Sequence, residues 1–470
     1  MSPSQDSQDR DRRRAARQEA ADADARADLA TVYAHIMDRA PEHDIDPTLD
    51  RVRRVLELMG DPQKAYRTIH LTGTNGKTST ARMTERLVRE HGLRTGRFTS
   101  PHLTSVTERI AVDGVPIAPA RFVEVWEDVA PYVNVVDRES QEEGGPRLSF
   151  FEVLTVMAFA AFADAPVDVA VVEVGMGGEW DSTNVVDGDV AVITPVALDH
   201  ERWLGRTVTE IATTKSGIVK DRATVVLAEQ PEAAEVVVLE AAAARGAHVL
   251  REGVELEVAR RAVAVGGQLV DLRTPAGLYT EIFLPLHGQF QAHNALLALA
   301  ATEALLGGRA LGAEIVEAAF ADASAPGRLE VVRSSPTVIV DAAHNPAGAQ
   351  ALVDALDEAF GFTRLIGVVA VMGDKDAEGL LAAFEPYLAE VVVTRNSSDR
   401  SADPQDLAEV AQDVFGEDRV HVAERLDEAL AVAADLAERG DETGVGAGAG
   451  VLVTGSVVTV ADARVLVGRG

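Results

Sequence analysis

From residue 67 onward the chain alternates short runs of β-branched and other apolar residues with longer stretches whose apolar positions recur at helical spacing. The runs predict strands at Thr68–Thr72, Asp168–Val174, Val190–Thr194, Thr224–Ala228, Thr337–Asp341, Leu365–Val371, Glu390–Thr394 and Val451–Gly455. Helices are predicted at Lys77–His91, Phe150–Ala163, Ala292–Leu306, Ala347–Phe360 and Asp427–Glu438, with further helical patterns from about Leu29 and over about Leu49–Met59. Continuous apolar strands separated by helices point to an α/β fold with parallel sheets covered on both faces. Residues 248–285 depart from this pattern. Their alternation and the Gly266–Gly267 turn predict a small antiparallel appendage.

Residues 1–28 hold seven acids and six arginines but no Val, Ile, Leu or aromatic residue. Such a segment buries too little apolar surface to offset its ordering entropy, and a disordered tail is expected over 1–28. It lacks the apolar stretch of a secretory signal, and its acids argue against a transit peptide. A length of 470 residues points to two or three domains. The Pro-Gly pair in "SAPGRLE" (Ser324–Glu330) places a boundary after a long helix, giving units over 29–325 and 326–470. A Gly/Ala-rich loop, Gly444–Gly450, precedes the last strand.

Composition narrows the function classes. Lys and Arg number 44 against 75 Asp and Glu, a formal charge of −31. That balance argues against nucleic acid, which is held by clustered cations, and against an anionic membrane surface. The most apolar stretch, Val153–Gly178, is cut by Asp164, Asp168 and Glu173, too early for a membrane span. The absence of cysteine excludes disulfides, zinc–thiolate sites and cysteine nucleophiles. A cytoplasmic protein is expected.

The sharpest chemical signal is "HLTGTNGKTSTARM", residues 70–83. An apolar strand enters Gly73, Thr74, Asn75, Gly76, Lys77, Thr78 and Ser79, and a helix follows at once. Glycines let backbone N–H groups converge on phosphate oxygens, and the helix N-terminus adds positive potential. Lys77 supplies a full charge, while Thr78 and Ser79 offer hydroxyls to phosphate or magnesium. Leu71 stands where the usual phosphate loop has its first glycine, with Gly73 as the nearest substitute. The competing reading is a plain strand–turn–helix junction, which leaves the lysine and threonine at the helix start unexplained.

Ligands of open α/β sheets gather at the carboxyl ends of strands. Polar residues stand at such ends in "FTSPHL" (Ser100, His102), "VVEVGMGGEWDSTN" (Glu173), "VITPVALDHERWLG" (Asp199, His200) and "VIVDAAHNPAGA" (Asp341, His344, Asn345). Lys215 lies in "IATTKSGIVK" at a helix end. Carboxylate, imidazole and hydroxyl near a phosphate loop suit Mg²⁺, which prefers oxygen ligands. Taken singly, His200 reads as a hydrogen-bonded structural histidine, Lys215 as a solvated charge and Asn345 as a helix cap followed by Pro346. Glu173 in an apolar strand is costly to bury alone, which favours a partner or a metal. Recurrence in both units places the site in the cleft between them.

In order along the chain, "GTNGKTS", "SPHL", "FFE", "EVGMGG–WD–TN", "DH–––LG", "K–GI", "LHG––QAHNA", "PGRLE", "DAAHNPAGA", "VMGDKD" and "TGSVVT" resemble the folylpolyglutamate synthase/dihydrofolate synthase family of the Mur-ligase superfamily. The resemblance runs from about residue 30 to the C-terminus. It implies an N-terminal P-loop ATP-binding domain with a parallel sheet and a β appendage, and a smaller Rossmann-like C-terminal domain. The implied activity is ATP-dependent addition of L-glutamate to dihydropteroate or to a folate γ-carboxylate, through an acyl phosphate. ATP is the co-substrate and two Mg²⁺ sites are expected.

The implied roles follow the motifs. Gly73 through Ser79 bind phosphates, with Asn294, Arg328, Asp341 and His344 at the nucleotide. Ser100 and Glu173 hold one magnesium and His200 a second. Lys77, His200 and Lys215 serve catalysis, and Lys215 matches a lysine that the family carbamylates. Ser149, Phe150, Phe151 and Glu152, with Trp180, Asp181 and Ser182, resemble pterin-binding segments; Asp46, Pro47 and Thr48 match another more weakly. A monomer is implied.

Two residues depart from the family pattern. Glu179 replaces the usual Arg after the paired glycines, which predicts weaker binding of an anionic folate tail. Thr214 replaces the usual Glu before Lys215. The alternatives are a Mur-type amide ligase with another acceptor, or a nucleotide-binding regulator without chemistry. Some 65 residues precede the first strand, which disfavours a peptidoglycan ligase with an added sugar-nucleotide domain. Glu173, His200 and Lys215 together disfavour the regulator, since binding alone needs no second metal site.

Overall fold

The computed structural model describes residues 21–41, 46–439 and 448–468. Its first sheet comprises β1 (Arg67–Thr72), β2 (Thr95–Phe98), β3 (Ile110–Val112), β4 (Val115–Pro116), β5 (Val169–Glu173), β6 (Val190–Ile193), β7 (Thr224–Leu227) and β8 (His248–Arg251). The order is β4-β3-β2-β5-β1-β6-β7-β8. β3 and β4 add antiparallel at one edge, and every other pairing is parallel. β1 therefore lies centrally between β5 and β6, and Leu71 pairs in register with Glu173. The loop after β1 opens at the carboxyl ends of buried strands, where a doubly wound sheet leaves its crevice.

The appendage is a three-stranded antiparallel sheet of β9 (Glu257–Ala264), β10 (Gly267–Thr274) and β11 (Gly277–Leu284). It begins later than alternation predicts, because residues 248–251 pair with β7 in the main sheet instead. The remaining strands are β12 (Glu330–Ser334), β13 (Thr337–Val340), β14 (Arg364–Val369), β15 (Glu390–Val393), β16 (Val420–Val422) and β17 (Ala449–Thr454). They form a second sheet in the order β12-β13-β17-β14-β15-β16. Only the β12–β13 pairing is antiparallel there. All eight strands read from β-branched runs are present, as is the α/β architecture.

Helices cover both faces of the first sheet and bury separate apolar clusters. One holds the phosphate-loop helix Lys77–Glu90 against Gln289–Leu305; the other holds Phe150–Asp164 and Pro119–Glu142. Among the described residues no helix is long and apolar enough to cross a membrane.

The expected tail is corrected in part. Residues 1–20 lie outside the described residues, but 21–28 are helical, within a helix that runs to residue 37. The stretch 21–28 is largely exposed and rich in alanine, the best helix former, so it needs little burial once Leu29, Val32, Tyr33 and Ile36 anchor the rest. Residues 440–447, most of the predicted Gly/Ala loop, also lie outside the described residues.

Candidate active site

A cleft of about 2000 Å³ runs between the carboxyl ends of the two parallel sheets. Gly73 through Ser79, Ser100, Glu173, His200, Lys215, Asn294, Arg328, Asp341 and His344 all line it. So do Asp46, Thr48, Ser149 through Glu152 and Trp180 through Ser182. Pro47 is exposed and stands outside the lining.

Gly76 adopts φ +90°, and a Cβ there would sit 2.5 Å from Asn294 Oδ1. Only glycine lets the loop press against Asn294, whose Nδ2 is held by Gln291 at 3.1 Å. Lys77 Nζ folds back on the loop, donating to the carbonyls of Gly73 (3.1 Å) and Thr74 (3.2 Å). Burial lowers its ammonium from the ordinary lysine value, and the Glu173 and Asp199 carboxylates oppose that shift. Thr78 Oγ1 meets Glu173 Oε1 at 2.9 Å and Oε2 at 3.0 Å, while the Ser100 N–H lies 3.4 Å from Oε2. Glu173 is 1% exposed, and burial raises its carboxyl against the pull of Lys77. The costly strand carboxylate thus has its partner in the phosphate loop.

Lys215 is buried at the end of the helix Val208–Ser216, and its Nζ donates to the Gly73 carbonyl at 2.7 Å. Burial, with Lys77 nearby, pushes its pKa well below the lysine range. The helix end is met by the loop after β5. A Cβ on Gly178 would lie 2.7 Å from the Lys215 carbonyl and 2.8 Å from that of Thr214. The same packing turns Glu179 outward: its N–H bonds the Thr214 carbonyl at 2.8 Å, and its side chain is exposed and outside the cleft lining. Glu179, where a charge conflict with an acceptor is expected, thus presents its side chain to solvent. Thr214 also stands outside the lining, with its methyl against Gly177.

Several polar groups at the aromatic end of the cleft are already committed. Glu152 closes a capping box with Ser149, accepting its N–H at 2.7 Å, and pairs with Arg51 at 3.1 Å. Arg51 reaches Asp46 at 2.6 Å, tying residue 46 to the helix Phe150–Asp164. Asp181 accepts the N–H groups of Met176 (2.9 Å) and Thr183 (3.0 Å). Ser182 Oγ and Thr155 Oγ1 are 2.7 Å apart. Glu152 and Asp181 hold the walls in shape, leaving Phe150, Phe151 and Trp180 as the apolar surface.

From the second sheet, Asp341 accepts the N–H groups of Leu329 and Ala343, each at 2.8 Å. That shapes the turn carrying Arg328 and the turn carrying His344. Asn345 caps the helix Pro346–Ala359, accepting Gly348 N–H at 2.8 Å. Its amide also reaches across the cleft to Asn75 and, at 3.1 Å, to Asp199.

Asp199 is the hub that residue types alone under-weighted. Its carboxylate accepts from the His200 N–H (2.8 Å), His344 Nε2 (3.2 Å), Asn345 Nδ2 and Lys375 Nζ. Burial alone would raise this carboxyl; the His344 hydrogen bond and the facing His200, His344 and Lys375 side chains hold it well below the usual range. Lys375 was legible as a polar residue past the end of β14 in "VMGDKD", yet no role attached to it. His200 itself has φ +52°, and burial of its ring lowers the imidazole despite Asp199 Oδ2 at 4.0 Å.

The residues fit magnesium in a particular way. Among the described residues no three His, Asp or Glu side chains gather within ligating reach. A divalent ion here would draw on Glu173, the hydroxyls of Thr78 and Ser100, and phosphate oxygens, a hard donor set suited to Mg²⁺. At His200 the neighbouring carboxylate, Asp199, is already occupied.

A phosphate loop opening onto a two-sheet cleft is the arrangement of a nucleotide-using enzyme, and likeness to known families gives its class, a Mur-type ATP-dependent ligase. The family model for the Mur ligase middle domain matches residues 71–302, and that for the Mur ligase glutamate ligase domain matches 327–457. The dihydrofolate synthase/folylpolyglutamate synthase of Mycobacterium tuberculosis is 50% identical over 454 residues, 93% of each chain. A structure of the Mycobacterium tuberculosis folylpolyglutamate synthase complexed with ADP and AMPPCP superposes with a TM-score of 0.90 at 48% identity, over 95% of this chain and 99% of that one. The Escherichia coli FolC protein in complex with DHPP and ADP superposes at 0.79 with 29% identity, over 94% and 97%. The chain belongs to the dihydrofolate synthase/folylpolyglutamate synthase family, ATP-dependent ligases that join glutamate to folates.

Proposed function

We propose that the cleft activates a pteroate or folate carboxylate with ATP and couples it to L-glutamate. The observation that carries this is the meeting of the phosphate loop, the Thr78–Glu173 pair and the Asp199–Lys375 bridge in one cleft. A carboxylate is a poor electrophile, so its oxygen first attacks the γ-phosphorus of ATP and ADP leaves. The glutamate amine then attacks the acyl carbon, phosphate departs and the amine proton is lost. Positioning and charge neutralisation are the protein's contribution.

In this reading Gly73 through Ser79 hold the phosphates. Asn294, Arg328, Asp341 and His344 surround the nucleotide. Lys77 neutralises transferring charge from its seat beside Gly73. Ser100 and Glu173 would hold one Mg²⁺ and His200 a second, which would supply positive charge to the phosphate oxygens. Burial lowers the Lys215 ammonium and so favours the unprotonated amine, the form that adds CO₂ to become a carbamate with release of a proton. The resulting anion would add a carboxylate-like group to the cleft beside Gly73 of the phosphate loop. The acceptor lies against Phe150, Phe151 and Trp180, with Asp46, Pro47, Thr48, Ser149, Glu152, Asp181 and Ser182 shaping its walls. The accompanying assignments are a division at 325/326 and a monomeric cytoplasmic enzyme that engages neither nucleic acid nor membrane.

The test is ADP release measured with glutamate and either dihydropteroate or tetrahydrofolate. Release that requires both glutamate and an acceptor supports the reading, and the preferred acceptor distinguishes the two synthase activities. ADP release indifferent to both would overturn it.

A further inference from the structure

The aromatic end of the cleft is completed by the helix over residues 21–37. Ile36 is fully buried in the cluster that holds Phe150 and Phe151, and Leu29, Val32 and Tyr33 pack against it. The turn that follows is fastened twice. Arg39 Nη1 lies 2.9 Å from Asp137 Oδ2 and donates to the Leu148 carbonyl at 3.0 Å, with both side chains of the pair buried. The Ala40 carbonyl accepts the Phe150 N–H at 2.9 Å. Core packing, ion pair and main chain thus bind this helix to the Ser149–Phe151 turn.

Tyr33 is what the helix delivers. Its ring stands edge-on to His102 at 6.0 Å and to Phe150 at 6.1 Å, with interplanar angles of 78° and 70°. The Arg109 guanidinium lies 5.2 Å from the Phe150 ring centre, and its Nε donates to His102 Nδ1 at 2.9 Å. Tyr33, Met37, His102, Arg109 and Phe150 all line the cleft, and Met37 remains 49% exposed beside them. Fixed rings and a guanidinium present faces and edges to a flat π-system, whereas the opposite end of the cleft offers amides, lysines and carboxylates. The two ends ask for different parts of the bound molecules.

We infer that Tyr33 is a specificity-determining residue that contacts the flat heterobicyclic end of the acceptor. The inference rests on the folate-ligase reading and adds to it a wall supplied from the N-terminal helix. Steady-state kinetics on the full chain test it, varying dihydropteroate, ATP and glutamate in turn for Tyr33→Ala and Tyr33→Phe. The Ala variant should raise KM for dihydropteroate on the order of tenfold and leave KM for ATP within about twofold, while the Phe variant stays near wild type. If Tyr33→Ala fails to fold by thermal melting, Tyr33→Leu keeps apolar volume without the ring and is measured instead. An unchanged KM for dihydropteroate, or equal rises for all three substrates, overturns the role of Tyr33. A wild-type enzyme that releases ADP without needing acceptor or glutamate overturns the ligase reading instead.

Discussion

Asn75 of the phosphate loop and Asn345 of the second sheet exchange amide hydrogen bonds, at 3.2 Å in one direction and 3.3 Å in the other. Asn345 also caps its helix at Gly348 and donates to Asp199, so both amide hydrogens and both oxygen lone pairs are used. One side chain therefore joins the phosphate loop, the loop after β6 and the second sheet. Asn345→Ala removes the cap and leaves Asn75 and Asp199 each short of a partner. The expected cost is about 1–3 kcal/mol of stability with reduced turnover, read by urea unfolding and ADP release.

Lys77 and Lys215 share one acceptor, the Gly73 carbonyl, but should fail differently. Lys77→Ala is expected to weaken nucleotide binding directly. Lys215→Ala should lose most turnover while still binding ATP. Calorimetric titration with a non-hydrolysable ATP analogue, set beside turnover, separates them. Full activity of the Lys215 variant would refute its role.

The Lys215 amine also makes a stability signature. Its folded pKa is depressed by burial, so between that value and the ordinary lysine range the unfolded chain binds the extra proton. Stability attributable to this group therefore rises as pH rises through that window. Lys215→Met leaves the Gly73 carbonyl bonded to Lys77 and removes the burial cost. The variant should be more stable than wild type at neutral pH, with the difference shrinking toward high pH in thermal melts.

Arg51 compensates Glu152 inside the wall and reaches Asp46 outside it. Arg51→Ala strands a buried carboxylate that burial already raises. Because Ser149 still donates to Glu152, the loss should fall toward the lower end of about 3–5 kcal/mol. Chemical denaturation measures it, and KM for the acceptor should rise as residues 46–48 lose their tie.

Glu179 offers the converse test. Since its side chain is exposed and outside the cleft lining, Glu179→Arg should leave KM for the folate acceptor within about twofold at physiological salt, where exposed charges are screened over about 8 Å. A large fall in KM would restore the charge conflict anticipated from the family pattern.

Much of the site was legible because phosphate-loop chemistry is local: strand, glycine turn, lysine and helix start are contiguous from His70 to Met83. The strand-end rule likewise marked Glu173, His200 and Asp341 before any contact was known. It did not mark Tyr33, which lies on a helix far from any strand end, beside a segment whose composition reads as tail. Nor did it rank Asp199 above His200, because adjacent residues differ only in which way the chain turns between them.

Sequence alone was enough for the eight central strands of the two sheets, the nucleotide loop and the family, since each rests on apolar runs or on contiguous motifs; short strands at or near the sheet edges, such as β3 and β16, carry too few residues to show a pattern. Tertiary structure alone decided which distant groups meet. Lys375 reaches Asp199 across 176 positions and Asn345 reaches Asn75 across 270. Those pairings depend on how two separately twisted sheets set their strand ends against each other. It also decided that Glu179 faces out: close packing of Gly178 on the Lys215 helix fixes the loop's direction, and no residue pattern carries that information.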